Sequence, residues 1–221
     1  MNAQRDGRSR LSIRIVAAVA TLALVSAACS SSESGSITYQ DPDRRSLFEL
    51  PASWNLYEGD HLAGVTVPFI TQGADFQLPV LSQVAFDGAP SRDSDNLTGS
   101  ISTAQFPVGS VTVREIGVDE RDFISRFLLA ELVVPYHSQL GSQELLKQDF
   151  SFDDDFRGVQ LAVAYTDAVT EQEAAVYLIS VTDPGVTKMY SIAVGCSLDC
   201  FGRNQTEILA IVDSYLVNTR G

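Results

Sequence analysis

The chain has 221 residues, 45% of them hydrophobic, with 28 acidic against 15 basic side chains and a formal charge of −13. Arg5, Arg8, Arg10 and Arg14 all lie near the start, so residues 29–221 hold 27 acidic and 11 basic residues, a formal charge of −16. A field of that sign argues against nucleic acid and anionic lipid surfaces as partners and leaves cations, basic protein patches and neutral ligands.

The four arginines precede an uncharged run, 15–28, which ends in Ala27-Ala28 before Cys29 and a Ser-rich stretch. Basic, apolar and small-residue zones in that order mark a secretory signal peptide over 1–28. The run of about 14 residues reaches about 21 Å as a helix, too short for a bilayer core of about 30 Å. No Arg-Arg pair precedes it, which points to the general secretory route. Ala27-Ala28-Cys29 resembles the lipobox of bacterial lipoproteins, with Ser26 where Leu is commonest. The resemblance implies that Cys29 takes a diacylglycerol and becomes the new N-terminus. The alternative is an ordinary signal peptide cut after Ala28. Two acyl chains hold a protein to a membrane stably where one does not. Residues 29–38 read as a flexible tether with a reach of about 15 Å, and 39–221 as one globular domain.

The elements of that domain follow in chain order. Residues 45–50 and 55–57 read as two short strands turned by 51–54, an N-terminal hairpin with Trp54 at its corner. Residues 79–87 have strand composition, 88–98 form a polar loop, and 110–116 alternate as a strand. Asp119 is the expected N-cap of a helix carrying Phe123, Phe127, Leu128 and Leu132 at helical spacing, stopped by Pro135. A polar segment without a clear period continues to Gln148. Residues 156–165, 174–181 and 188–194 are β-rich, with Asp183-Pro184-Gly185 as a turn, and form an antiparallel meander. Residues 204–215 are helical, with Ile208, Ile211, Val212 and Tyr215 on one face to cover the sheet. The class expected is α+β: an antiparallel β-sheet flanked by α-helices.

Leu47-Phe48-Glu49-Leu50-Pro51 with Trp54 resembles the F-x-L-P-x-G-W opening of the PsbP-like or Mog1-like superfamily, with Ala52-Ser53 in place of x-Gly. The later half is similar too: a strand bearing Gly158, two more strands, then Tyr190-x-Ile192-x-Val194 leading to a final helix and Leu216-Val217. Actinobacterial lipoproteins of the LpqN type share the layout of lipobox, Ser-rich tether and terminal helix. The resemblance spans most of 39–219 as an order of elements. It implies a PsbP/Mog1-like sandwich of sheet and helices, and a binding or assembly module in place of an enzyme.

The residues that carry chemistry are few. With Cys29 lipidated, Cys196 and Cys200 remain as an even pair, expected to be a disulfide outside the cytoplasm. Its short loop gives about 2 kcal/mol. Zinc needs four ligands and the histidines are His61 and His137; a redox pair wants C-x-x-C. No G-x-S-x-G elbow occurs, so a hydrolase would need His61 or His137 as base beside a distant serine. Asp153, Asp154 and Asp155 form the densest acidic cluster, a weak calcium candidate or a solvated turn. Asp93-Ser94-Asp95-Asn96 resembles the start of a calcium loop without its later glycine and glutamate. Asn96 and Asn204 begin sequons that carry no meaning in a bacterium. No metal and no cofactor is expected. The expected function is a non-enzymatic, lipid-anchored module on the extracytoplasmic face of the cell membrane that binds another envelope protein. The alternative is a carrier or receptor for a lipid or small apolar ligand in a pocket between sheet and helices.

Overall fold

The computed structural model describes residues 35–41, 44–62, 78–93, 95–151 and 156–218. They belong to one compact unit, Ser34–Gly221. Residues 1–28, expected as a signal peptide, and Cys29, Asp153, Asp154 and Asp155 lie outside the described residues.

Seven strands form the main sheet: β3 (Asn55–Glu58), β4 (Val80–Asp87), β5 (Val108–Glu115), β6 (Leu140–Ser151), β7 (Arg157–Thr166), β8 (Glu173–Thr182) and β9 (Lys188–Ser197). Their order is β3-β4-β5-β9-β8-β7-β6, and every neighbouring pair is antiparallel. β1 (Ser36–Gln40), β2 (Ser46–Pro51) and β10 (Leu216–Val217) form a second sheet in the order β1-β2-β10. The helices are α1 (Asp95–Thr98), α2 (Arg126–Glu131) and α3 (Leu198–Asp213). The molecule is therefore of the α+β class, with antiparallel sheets and helices packed on them.

Side chains alternate along a strand, and cross-strand partners share a face. On one face of the main sheet stand Val84 and Phe86, Val111 and Val113, Tyr190, Ile192 and Val194, and Tyr177 and Val181, all buried. α3 covers this face. It buries Phe201, Ile208, Ile211 and Val212, and Tyr177 Oη donates to Asp213 Oδ1 at 2.7 Å. The other face carries buried polar groups: Ser110, Thr112 and Arg114 on β5, Ser191 on β9, Ser180 and Thr182 on β8. Thr112 and Ser191 share a 2.7 Å hydrogen bond across the central strand pair. α2 packs on β7 and β8.

Several expectations are corrected. β2 and β3 do not form a hairpin: β2 pairs with β1 and β10, β3 with β4. The turn after Pro51, closed by Trp54 N–H to Pro51 O at 2.9 Å, carries the chain from the small sheet to the large one. β1 starts at Ser36 and pairs Ser36–Thr38 with Glu49–Pro51, so the last residues of the expected tether are built into a sheet. The helix expected from Asp119 is broken. A 3-10 turn holds Arg121–Phe123, and α2 starts at Ser125, whose Oγ accepts from Leu128 N at 3.1 Å. Phe123 and Phe127 are exposed, while Leu129 and Ala130 are buried. The segment before Gln148 is the twelve-residue edge strand β6. α3 begins at Leu198, where Ser197 Oγ accepts from Cys200 N, and the polar loop at 88–98 ends in the short helix α1.

This earlier start gives Cys196 and Cys200 their positions. Cys196 is the last residue but one of β9, Cys200 lies in the first turn of α3, and the two sulfurs are bonded at 2.10 Å. The bond staples the helix to the strand that leads into it.

The two sheets meet around Phe86. Its ring lies 5.3 Å from Phe48 of β2 and 6.1 Å from Trp54, centroid to centroid. Across the β4–β5 pair it covers Gly109: a Cβ there would stand 2.3 Å from Phe86 Cε2 and 2.9 Å from Ala193 O. A methyl group at 109 must therefore displace a ring that is fully buried. Gly109→Ala is expected to lower stability by about 1–3 kcal/mol through overpacking, and Phe86→Ala by about 3–5 kcal/mol through the cavity it leaves. Urea unfolding measures both, and a neutral Gly109→Ala would contradict this packing.

Candidate functional site

The two histidines lie in separate settings. His61 is exposed in a 3-10 turn, Gly59–Leu62. His137 follows α2, with Nδ1 2.6 Å from Glu131 Oε1 and its ring 4.0 Å from Tyr136 and 4.6 Å from Phe127. A carboxylate orienting an imidazole is two-thirds of a nucleophilic triad. The adjacent hydroxyl does not complete it, because Ser138 Oγ donates to Pro135 O at 2.7 Å. Tyr136 Oη donates to Glu144 Oε1 at 2.8 Å, and Lys147 Nζ lies 3.2 Å from the same oxygen. Burial and the bonded carboxylate push the Tyr136 phenol up, and the phenol and Lys147 hold Glu144 below its usual range. These contacts tie the start of β6 to the end of α2.

Asp93 makes a turn. Its Oδ1 accepts from Asp95 N at 3.1 Å, and its carbonyl accepts from Tyr57 Oη at 3.2 Å. Its carboxylate is thus spent on the local backbone leading into α1. Among the described residues no group of three His, Cys, Asp or Glu side chains is placed to hold a metal.

Among the described residues Asp87 is the fully buried carboxylate. Oδ1 accepts from Asn55 Nδ2 at 2.9 Å and from Ala89 N at 3.0 Å, and Oδ2 from Tyr57 Oη at 3.2 Å. Burial raises its pKa despite these donors. A raised carboxyl in a cleft is a candidate general acid, but Asp87 has no access to solvent. It fastens β3 and the loop after β4.

Two surfaces stand out, beside two further clefts. The first is β6. Its partner is β7 alone, its other edge pairs with no strand among the described residues, and every described side chain along it from Leu140 to Asp149 is exposed. Leu140, Leu145 and Leu146 are 61%, 51% and 41% exposed. The second is a cleft of about 620 Å³ between α2, the start of β7 and the turn after β8, lined by Arg121, Arg126, Arg157, Asp122, Ser125 and Thr182 among others. The sequence offered no motif for it, since its arginines are scattered over 121–157 and one belonged to an expected acidic helix start. A second polar cleft of about 510 Å³ includes Glu171, Glu173, Asp199 and Arg203. The groove between β2 and α3, lined by Leu50, Pro51, Ala210 and Ile211 together with Glu49 and Glu207, holds about 240 Å³, less than the roughly 300–1,000 Å³ of small-molecule sites.

The Asp87 network has a stability signature. Because its folded pKa is raised, the protonated form is favoured in the fold. That contribution is complete below the unfolded value of about 3.9 and is lost as pH rises through the folded value. Asp87→Asn should flatten the fall in stability from about pH 4 toward neutrality. Asp87→Ala strands the Ala89 N–H, while Asn55 and Tyr57 keep the carbonyls of Ala89, Ser91 and Asp93, and should cost about 1–3 kcal/mol. Thermal melts across that range decide, and parallel pH profiles for wild type and Asp87→Asn would refute the burial effect.

No protein-family model matches the chain, and no curated protein matches it. Among solved structures, the chain is similar to cyanobacterial PsbP (CyanoP) of Synechocystis sp. PCC 6803, at 13% identity over 84% of this chain and 94% of that one, TM-score 0.48. It is similar to the Ran-binding protein Mog1p of Saccharomyces cerevisiae, at 9% identity over 83% and 95%, TM-score 0.46. It is also similar to LpqN of Mycobacterium tuberculosis, a protein involved in cell envelope biogenesis, at 11% identity over 83% and 91%, TM-score 0.46.

Proposed function

We propose that this chain is a lipid-anchored, extracytoplasmic binding module that engages an extended segment of another envelope protein along β6. The observation that carries the proposal is the edge strand itself. Alternate residues of this twelve-residue strand turn their backbone donors and acceptors to the side that pairs with no strand among the described residues, the arrangement that accepts an added strand. Leu140, Leu145 and Leu146 supply apolar contacts beside that edge. The pairing with β7 shifts register between Leu140 and Gln143 and again between Glu144 and Leu146, so Leu145 bulges out of the ladder. Bulges and charges such as Lys147 discourage indiscriminate edge pairing, which favours a matched partner over self-association.

The anchor rests on the sequence alone. Arginines, an apolar run, Ala27-Ala28-Cys29 and a serine-rich stretch stand in the order of a lipoprotein signal. Diacylglycerol on Cys29 would hold the domain at a membrane. β6 would then meet partners of the same compartment.

Both parts are testable. Metabolic labelling with an alkyne fatty acid should mark the chain and fail to mark Cys29→Ala; label that persists in the variant removes the anchor from Cys29. A photocrosslinking residue at position 145 or 146 should give a discrete protein adduct in intact cells, absent from a probe at Val169, a loop residue 92% exposed. Leu145→Asp with Leu146→Asp should reduce an adduct formed from position 143 about tenfold, with stability held within about 0.5 kcal/mol as for other surface changes. Equal adducts from 145 and 169 would defeat the assignment to β6.

A further inference from the structure

The arginine cleft points to a ligand that the sequence does not announce. Residues 29–221 contain 11 basic side chains among 27 acidic ones, yet Arg121, Arg126 and Arg157 share one cleft. The described lining holds one carboxylate, Asp122, and the hydroxyl residues Ser125 and Thr182. Arg126 Nη1 also lies 3.3 Å from Asp149 Oδ2, with both side chains nearly half exposed. The guanidinium Nε of Arg121 is buried and has no hydrogen-bond partner.

A fourth guanidinium stands behind them. Cross-strand pairing runs from Arg114 to Met189, from Met189 to Thr182 and from Thr182 to Arg157, so Arg114 shares a row and a face with two lining residues. It is 2% exposed, and its Nε and Nη2 have no hydrogen-bond partner. Two strand spacings, about 10 Å, separate its strand from that of Thr182. Among the described residues, four guanidinium groups are therefore gathered at one end of this face, in a chain that is strongly negative as a whole.

We infer that this cleft binds the phosphate group of a phosphorylated polyol, either free or as a lipid headgroup. Guanidinium forks match the oxygens of a phosphate bidentately. Among the described residues, three of them, offset by Asp122 and in part by Asp149, leave a positive charge near the magnitude of one phosphate's. A single carboxylate would occupy one fork and leave the others unmatched. The volume of about 620 Å³ lies within the range of small-molecule sites and leaves room for more than the phosphate, beside the hydroxyls of Ser125 and Thr182. The overall negative field opposes an approaching anion, but salt screens it over about 8 Å, so the nearby arginines dominate inside the cleft. Phe123 and Phe127 alternate with lining residues along the chain and are 66% and 47% exposed; a lipid headgroup in the cleft would bring acyl chains toward such side chains. The inference stands independently of the β6 proposal.

Arginine modification by phenylglyoxal, read residue by residue by mass spectrometry on the full chain, held in nonionic detergent for the soluble probes and reconstituted into detergent-free vesicles for the lipid ones, tests it. The probes are glycerol phosphate, inorganic phosphate, and vesicles of phosphatidylcholine with and without phosphatidylglycerol. Arg44, exposed and remote in sequence, is the control. The expected result is about tenfold slower modification of Arg157 and Arg126, with Arg44 unchanged. Protection by glycerol phosphate assigns a free ligand; protection by phosphatidylglycerol vesicles alone assigns a headgroup. Arg121→Gln should abolish the protection, and Asp149→Asn, which releases Arg126, should strengthen it about threefold. Because Asp149 is half exposed, that second variant stays informative if Arg121→Gln fails to fold. Protection no greater at Arg157 than at Arg44 under every probe, or protection that Asp149→Asn weakens, overturns the inference.

Discussion

The ring of Phe86 is the point on which the two sheets depend. It fills the space left by the missing side chain of Gly109, and Phe48 and Trp54 pack against it from the small sheet and the connecting turn. β2 could not approach the main sheet so closely if residue 109 carried a Cβ. The small sheet also collects both ends of the fold, since β2 pairs with β1 on one side and with β10 on the other. Ser214 Oγ accepts from Glu49 N at 2.8 Å beside that junction. One aromatic contact thus couples the chain's first described strand, its last strand and α3 to the pair β4–β5 of the main sheet.

The parts legible in the sequence are those whose pattern is set by burial alone. β7, β8 and β9 are buried on both faces along most of their length, so their continuous apolar runs and the Asp183 turn announce a meander without ambiguity. The turn is held by the Asp183 carboxylate, which accepts from Thr187 N at 2.6 Å and from Lys188 N at 3.0 Å. The N-terminal strands were legible as strands but not in their pairing. The turn after Pro51 looks like a hairpin corner, and nothing local says that Phe48 will seek Phe86, 38 positions away in sequence. β6 was invisible for the opposite reason. An exposed edge strand has no buried face to impose alternation, and its polar residues with two adjacent leucines read as no element at all.

The helix boundaries show which local signal wins. Acidic residues at 119–122 resemble a first turn, but Ser125 supplies the bond that caps α2. The backbone at Ile124 is extended, which separates the 3-10 turn from the helix and turns Phe123 outward. Likewise Ser197 caps α3 earlier than the stripe of Ile208, Ile211 and Val212 suggests, and Cys200 and Phe201 are already buried in the first turn. The cleft was illegible because its arginines come from the 3-10 turn, α2 and β7, which the fold alone brings together. Composition counts them as a minority in an acidic chain; geometry makes them neighbours.

The two open surfaces are joined by one contact, and its strength limits how far they communicate. Arg126 lines the cleft, Asp149 lies on β6, and their ion pair spans 3.3 Å with each side chain about half exposed. Such a pair contributes about 0–1 kcal/mol in water. An anion that takes Arg126 from Asp149 can therefore change the affinity of β6 for a partner, or the reverse, by at most about fivefold through this contact. The coupling must be reciprocal, and its sign depends on the partner. A strand bearing a basic residue opposite Asp149 would gain from the freed carboxylate and so would favour the occupied cleft. A strand bearing an acid there would compete with the anion for Arg126. The hydrogen bond from Tyr136 to Glu144 fastens β6 to the segment after α2 at the other end, so the strand has little freedom to relieve the contact by moving. The geometry thus permits modest tuning between cleft and edge, and excludes a strong switch through this pair.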